Sequence, residues 1–192
     1  MHMELTIHTV ESAPEGSREM LQKSLARYKF LPNLHGIMAG SPVMYEAYQA
    51  IGATYAKSKM SVLERQIVLQ SINHENECHY CLAAHSMIAT AEKMPALILT
   101  ALRDGAPLAD PKLQTLRSFA AKMTRERGWV QADDVQAFYA AGYGEENLLE
   151  VIVAIGYKVM SNYINHIAET PLDPAFKAFE WQHPRNRLAA PA

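Results

Sequence analysis

Apolar residues recur along most of this chain at intervals of three and four, the spacing that gives an α-helix one buried face. Ser17 to Tyr28 repeats them at Met20, Leu21, Ala26 and Tyr28, and Phe30-Leu31-Pro32-Asn33 breaks the pattern. Ser41 before Pro42 predicts an N-cap with proline at the first helical position, and Val43, Met44, Ala47, Tyr48, Ile51 and Tyr55 form the buried stripe beyond it. Ser61-Val62-Leu63-Glu64 is a capping-box pattern that opens a helix to about Asn73. Asn76 is the expected cap of the next helix, which runs toward Lys93. Met94-Pro95 starts a short helix ended by Gly105, and Asp110-Pro111 starts a long one carrying Leu113, Leu116, Phe119, Ala120 and Met123 to Gly128. Two more are expected over about Asp133 to Ala141 and Glu145 to Ile167, the second with Leu148, Leu149, Ile152, Ile155 and Val159 inward.

The longest period-two alternation, Leu5 to Val10, reads as a strand or an extended arm, so the expected fold class is all-α. A length of 192 residues suits one domain with a single core, here spanning 1–192, with an irregular N-terminal arm over about 1–16 and an irregular tail over about 171–192. The tail carries Pro171, Pro174 and Pro184 with Phe176, Phe179 and Trp181. An apolar share of 49% and a charged share of 20% are those of a globular protein that folds without a metal or disulfide staple. Lys and Arg number 18 against 20 acidic residues, with no basic cluster on an expected face, which argues against nucleic acid as a partner. No leader-like segment opens the chain and no apolar run approaches a membrane span, so a cytoplasmic protein without a membrane partner is expected.

Within this frame the chemistry concentrates in Glu77-Cys78-His79-Tyr80-Cys81, which holds the only two cysteines, with His85 one turn further on. Two cysteines placed at random would fall at this spacing about one time in a hundred. In a reducing cytoplasm such a pair suits redox chemistry or metal binding better than a permanent cross-link. A free thiol with a pKa near 8.5 is only about 3% thiolate at neutral pH, and the thiolate is the nucleophile. A helix start favours an anion at both Cys78 and Cys81 through its unpaired N–H groups and dipole. His85, at i+4 from Cys81 and i+7 from Cys78, shares their side of the helix and can take or share the thiol proton. Gln66 would fold back toward this helix if the two helices form an antiparallel hairpin, as the short Asn73 to Asn76 connection favours.

Other readings of the same residues stand beside this one. Cys78, Cys81, His85 and His74 or His79 are enough ligands for zinc, although they crowd one hairpin where structural zinc usually joins separated knuckles. Gln66 and His85 can also be satisfied core polar groups. Asn162, Asn165 and His166 share one helix face and read as a hydrogen-bonded helix contact rather than a catalytic set. The helix start points to Cys78 as the attacking sulfur, as in thioredoxin-type motifs, whereas the spacing to His85 points to Cys81, which is taken here as the attacker.

Gln66, Cys78, Cys81 and His85 fall on Glu-x11-Cys-x2-Cys-x3-His, and the chain thereby resembles the alkylhydroperoxidase D and carboxymuconolactone decarboxylase family, with glutamine in place of glutamate. Phe30 to His35, Ala39-Gly40-Ser41-Pro42, Glu64 to Val68, Ala140 to Tyr143 and Asn162 to His166 resemble segments of its peroxidase-related branch, so the likeness spans about Phe30 to Asp173. It implies an all-helical protomer, a trimeric or hexameric homo-oligomer and reduction of hydroperoxides by a cysteine pair without a bound cofactor. The residue matching Cys81 would become a sulfenic acid, the one matching Cys78 would resolve it to a disulfide, and the one matching His85 would relay the proton. By the same analogy the electron donor is a thiol or a lipoyl group.

Two departures bear on the relay. Glutamine takes up no proton, so Gln66 can only orient water or His85, with solvent, Glu64 or Glu77 as final acceptor. Tyr80 stands where the hydroperoxidase has histidine, and it is neutral at physiological pH. Two further functions remain open at this stage: the lactone-decarboxylating lyase, which needs no cysteine pair, and a non-catalytic oligomeric redox or metal module.

Overall fold

Capping residues written into the sequence set several of the helix starts. The computed structural model describes residues 5–184, and among these the backbone forms α-helices and one 3-10 turn, with no strand. The helices are α1 (Glu15–Tyr28), α2 (Asn33–Met38), α3 (Pro42–Tyr55), α4 (Val62–Glu75), α5 (His79–Ala91), α6 (Ala96–Asp104), α7 (Pro111–Arg125), α8 (Ala132–Ala140) and α9 (Glu145–Ala168), followed by the turn Pro174–Phe179. Ser41 and Asp110 each accept the amide of the third helical residue ahead of an N1 proline. Ser61 and Glu64 close the expected capping box at α4.

Helix α4 lies at the centre, packed against α5, α6, α7 and α9. Its Ile67, Val68, Leu69 and Ile72 are buried with Leu116, Phe119, Ala120 and Met123 of α7. Phe138 of α8 stacks on Phe119 at 4.3 Å and on Tyr143 at 4.8 Å, closing that end of the core. A second cluster joins α1, α2 and α3 to Tyr80 and Ala83 of α5 and to Phe176 of the tail. Each fully buried side chain of this size contributes about 1.5–3 kcal/mol by leaving water. The second cluster thus anchors the start of α5 through Tyr80 and Ala83.

Several expectations are corrected. The expected break holds over residues 30–32, but its last residue, Asn33, opens an unexpected short helix to Met38 that buries Leu34, Ile37 and Met38. Pro32 stops α1 from continuing but suits the position before a new helix. Val43 is 80% exposed, and Tyr45 takes the inward position of α3. Leu149 and Ile152 of α9 also face outward, because the buried face runs through Val151, Ala154, Lys158, Ser161, Asn162 and Asn165. That face is apolar at one end and polar at the other, so apolar periodicity alone selects the wrong stripe. Asn76 is the C-cap of α4 and not the N-cap of α5.

The Leu5 to Val10 segment is an arm laid along α2, with His8 N–H donating to Gly36 O at 3.1 Å. A Cβ on Gly36 would sit 2.8 Å from His8 O, so only glycine permits this approach. The first four residues of the expected arm and the last eight of the expected tail lie outside the described residues. The described part of the tail is more ordered than expected, since Phe176 and Trp181 are both buried. It is pinned to α5 where the Tyr80 hydroxyl donates to buried Asp173, whose other contacts include the Asn33 amide. Tyr80→Phe removes one donor from a buried carboxylate, and urea unfolding should report a loss of about 1–3 kcal/mol. Unchanged stability would mean that Asp173 finds another donor.

Candidate active site

The cysteines owe their position to the joint between α4 and α5. Asn76 ends α4, Glu77 takes a left-handed conformation (φ 53°), and the amides of Glu77 and Cys78 return to His74 O and Asn73 O. This closes α4 in the manner of a Schellman turn, and its last residue is already the N-cap of α5. Cys78 is therefore the N-cap and Cys81 lies in the first turn, where backbone N–H groups without helical partners face an anion. Both cysteines are free and almost fully buried.

The sulfurs sit against α9. Asn165 Nδ2 donates to Cys81 Sγ at 3.1 Å and lies 3.8 Å from Cys78 Sγ. Asn162 bridges the hairpin to α9, donating to Asn73 Oδ1 at 3.0 Å and accepting from Asn76 Nδ2 at 2.8 Å. Burial alone would raise both thiols. At Cys81 burial is outweighed by the hydrogen bond from Cys78, the nearby Lys158 ammonium, and Ser161 and Asn162, so its pKa falls below that of a free thiol. At Cys78 the hydrogen bond to Cys81, burial and the charge on Cys81 push the thiol up. The pair thus shares one proton, held on Cys78 while Cys81 is the thiolate.

Lys158 stands opposite the pair, only 1% exposed, with Nζ 3.1 Å from His85 Nε2. An ammonium has no acceptor capacity, so it donates and Nε2 accepts. The ring proton then lies on Nδ1, 3.2 Å from Gln66 Oε1. Gln66 in turn donates from Nε2 to Glu92 Oε2 at 2.8 Å. Burial and then the Lys158 charge hold His85 well below the ordinary imidazole pKa, so it is neutral. A continuous chain therefore runs from Lys158 through His85 and Gln66 to Glu92 at the surface.

This geometry departs from the expected relay in two ways. The carboxylate at the end of the chain is Glu92. Glu64 is instead held by Ser61, Tyr143 and Lys112, and Glu77 is the turn residue between α4 and α5. Among the described residues His85 makes no hydrogen bond to either sulfur, and Lys158 is the group that both contacts His85 and acts by its charge on Cys81. The other candidate metal ligands turn away, with His79 Nδ1 on Trp181 O at 3.0 Å and the His74 ring against Trp181 and His183. Among the described residues no three His, Cys, Asp or Glu side chains are placed to hold one metal ion.

Lys158 and the donor role of Asn165 escape sequence reasoning, while His166 of the same stripe faces solvent. A signal for Lys158 was present. Between Val151 and Asn165 it is the only charged residue, at i+4 from Ala154 and i+7 from Val151 on a helix face that is otherwise uncharged.

On the far side of His85 a cavity of about 360 Å³ opens. His85 and Gln66 form its floor, with Tyr48 and Tyr157 stacked at 4.7 Å beside them. His35 also lines the cavity, with Ser24 Oγ 2.6 Å and Tyr45 Oη 3.3 Å from its Nδ1. Burial, then the charges of Arg27 and Lys158, bring His35 down to about 4, so it is neutral. Neither sulfur lines the cavity. Cys81 lies one turn deeper on α5, close enough for its charge to raise the pKa of Tyr48 and Tyr157.

No family model matches the chain, and no curated protein matches it by sequence. Among the described residues no helix is long and apolar enough to cross a membrane. Solved structures do match. An uncharacterized peroxidase-related protein from Ralstonia eutropha JMP134, described as an alkylhydroperoxidase AhpD core, aligns over 92% of this chain and 95% of its own at 18% identity and a TM-score of 0.79. A peroxidase-related protein from Silicibacter sp. TM1040 aligns over 91% and 93% at 20% identity and 0.77. The debrominase Bmp8, in complex with 2,3,4-tribromopyrrole, aligns over 93% and 96% at 16% identity and 0.78. Near-complete coverage on both sides at these TM-scores gives this chain the all-helical alkylhydroperoxidase D-like fold.

Proposed function

We propose that this protein is a thiol peroxidase that reduces organic hydroperoxides through Cys81 and Cys78. The observation that carries the reading is Lys158, an ammonium buried beside a thiol whose pKa is lowered. Among the described residues it makes no ion pair with a carboxylate. A buried charge of this kind is very costly without an opposite charge, and the Cys81 thiolate supplies one. A protein that holds such a thiolate in its resting state is prepared for attack on an electrophile.

The reaction balances within the residues present. Cys81 S⁻ attacks the distal oxygen of the hydroperoxide, the S–O bond forms as the O–O bond breaks, and sulfur loses two electrons to the peroxide. The departing alkoxide takes a proton from Lys158, leaving a neutral amine and an alcohol. Cys78 then attacks the sulfenic sulfur, the S–S bond forms, and the displaced hydroxide leaves as water with the Cys78 proton. Thiolate and ammonium vanish together, so the oxidised site holds no unpaired buried charge. Gln66 and Glu92 fix the ring of His85, which keeps the Lys158 N–H directed and allows the amine to regain a proton during reduction.

The reading includes a thiol or lipoyl-type donor, no bound cofactor and a homo-oligomer of three or six chains, carried by the resemblance in the sequence, and the cytoplasmic setting expected from the lack of a leader-like segment. It is tested by adding one equivalent of cumene hydroperoxide to the reduced protein. Two thiols should disappear per peroxide, with a Cys78–Cys81 disulfide found by mass spectrometry. Unchanged thiols after complete mixing would exclude the peroxidase. A second reading, attack of Cys81 on the halogen of a brominated ring, is favoured by the aromatic wall of the cavity and the likeness to a debrominase. Bromide release from tribromopyrrole in the same reduced protein distinguishes it.

A further inference from the structure

We propose that the cavity over His85 is a binding site for an organic anion with a flat apolar body, its carboxylate held by Arg27 and His35 Nε2–H and its body lying against Tyr48 and Tyr157. The inference rests on the thiol peroxidase reading for the reaction that follows, but not for the binding itself.

Charge is the first argument. Lys23, Arg27 and Arg65 line the cavity with a single carboxylate, Glu92, whose Oε2 is already engaged by Gln66. Lys23 is paired with Glu19, and Arg65 directs Nη1 to the carbonyls of Ser58 and Met60. The Arg27 guanidinium instead lies 5.4 Å from the Tyr28 ring centroid, next to the opening, with no ion pair among the described residues. The Lys158 charge behind the wall is matched by the Cys81 thiolate, so the surplus positive charge at the cavity is that of Arg27. A cleft lined with one sign of charge concentrates ligands of the other.

Hydrogen-bond polarity is the second. Ser24 Oγ at 2.6 Å and Tyr45 Oη at 3.3 Å both reach His35 Nδ1, whereas Nε2 has no partner among the described residues, and with the two hydroxyls donating to Nδ1 the ring proton is on Nε2. Neutral histidine fixed in this tautomer suits an oxygen acceptor such as a carboxylate. Shape is the third, since the stacked Tyr48 and Tyr157 rings offer a broad aromatic wall, and the volume fits a small molecule. A ring-bearing acid meets all three conditions, and its far end then points to the floor formed by His85.

The test compares cumene hydroperoxide with its para-carboxy derivative, two peroxides with the same reacting group, and measures binding of para-isopropylbenzoate by calorimetry. The expected result is a kcat/KM about tenfold or more higher for the carboxylated peroxide, roughly the value of one charge-assisted contact. Arg27→Gln, at an exposed position that leaves the core intact, should reduce that ratio toward one and abolish binding of para-isopropylbenzoate. Equal kcat/KM for both peroxides, with no binding of the acid, would overturn this proposal while leaving the peroxidase intact. Arg27-dependent binding of the acid without turnover of either peroxide would support the site and overturn the peroxidase.

Discussion

Cys81→Ser should reduce peroxide consumption to background, a loss of roughly 10³-fold or more, because the remaining thiol, Cys78, is buried and held in its protonated form. A serine hydroxyl cannot be ionised by one ammonium and one amide donor, whereas those same groups lower the Cys81 thiol. Cys78→Ser should behave differently. Its Cys81 still attacks once, so one thiol rather than two is lost per peroxide and the product is a sulfenic acid that dimedone traps. Thiol counts before and after one equivalent of peroxide separate the two variants. Retention of more than a tenth of wild-type turnover in Cys81→Ser would reassign the attacking sulfur.

The parts of this structure that were legible in the sequence are those governed by local chemistry. Ser41-Pro42, Asp110-Pro111 and the Ser61–Glu64 box all start helices, because each satisfies amides within its own first turn. The hairpin that brings Gln66 to His85 is also short-range. What escaped depends on partners distant in the chain. Asn76 could cap either the helix before it or the helix after it, and its side chain is held by Asn162 of α9. Leu149 and Ile152 read as core because the true inward face of α9 carries the polar groups that serve the cysteines.

The displaced carboxylate has the same origin. Aligning the chain on a motif leaves an acid missing at position 66, and the neighbouring sequence offers Glu64 and Glu77 as substitutes. The antiparallel packing of α4 on α5 instead puts the last turn of α5 beside Gln66, where Glu92 reaches its amide. Lys158 is legible in retrospect, as a lone charge on an uncharged stretch of helix. The buried cation explains why a carboxylate is dispensable. With positive charge at Lys158, the site holds a thiolate by attraction and needs no base beside it to keep the proton away.

Lys158→Met tests that explanation most directly. The substitution removes the ammonium while keeping an unbranched side chain of similar reach, and Cys81 then protonates, so no charge is left buried and the fold is retained. Two effects lower the oxidation rate at pH 7. If the thiol rises from about 5 to about 9, thiolate at pH 7 falls ~100-fold, and the greater nucleophilicity of a sulfur about four units more basic recovers most of this. Loss of the proton donor to the alkoxide removes about 10²-fold more. The expected total is about 10²-fold, measured as the rate of thiol loss with cumene hydroperoxide. The sign of the pH dependence is equally specific. Wild type should be nearly independent of pH from neutral upward, because Cys81 is already ionised, whereas the variant should accelerate as pH rises through its elevated thiol pKa and close part of the gap near pH 10. Lys158→Arg separates the two effects, since its charge keeps the midpoint low but a guanidinium does not release a proton, so the rate stays depressed. A Lys158→Met protein that folds and keeps the wild-type pH profile would show that the hydrogen bonds from Cys78, Ser161 and Asn162 ionise Cys81 without the ammonium.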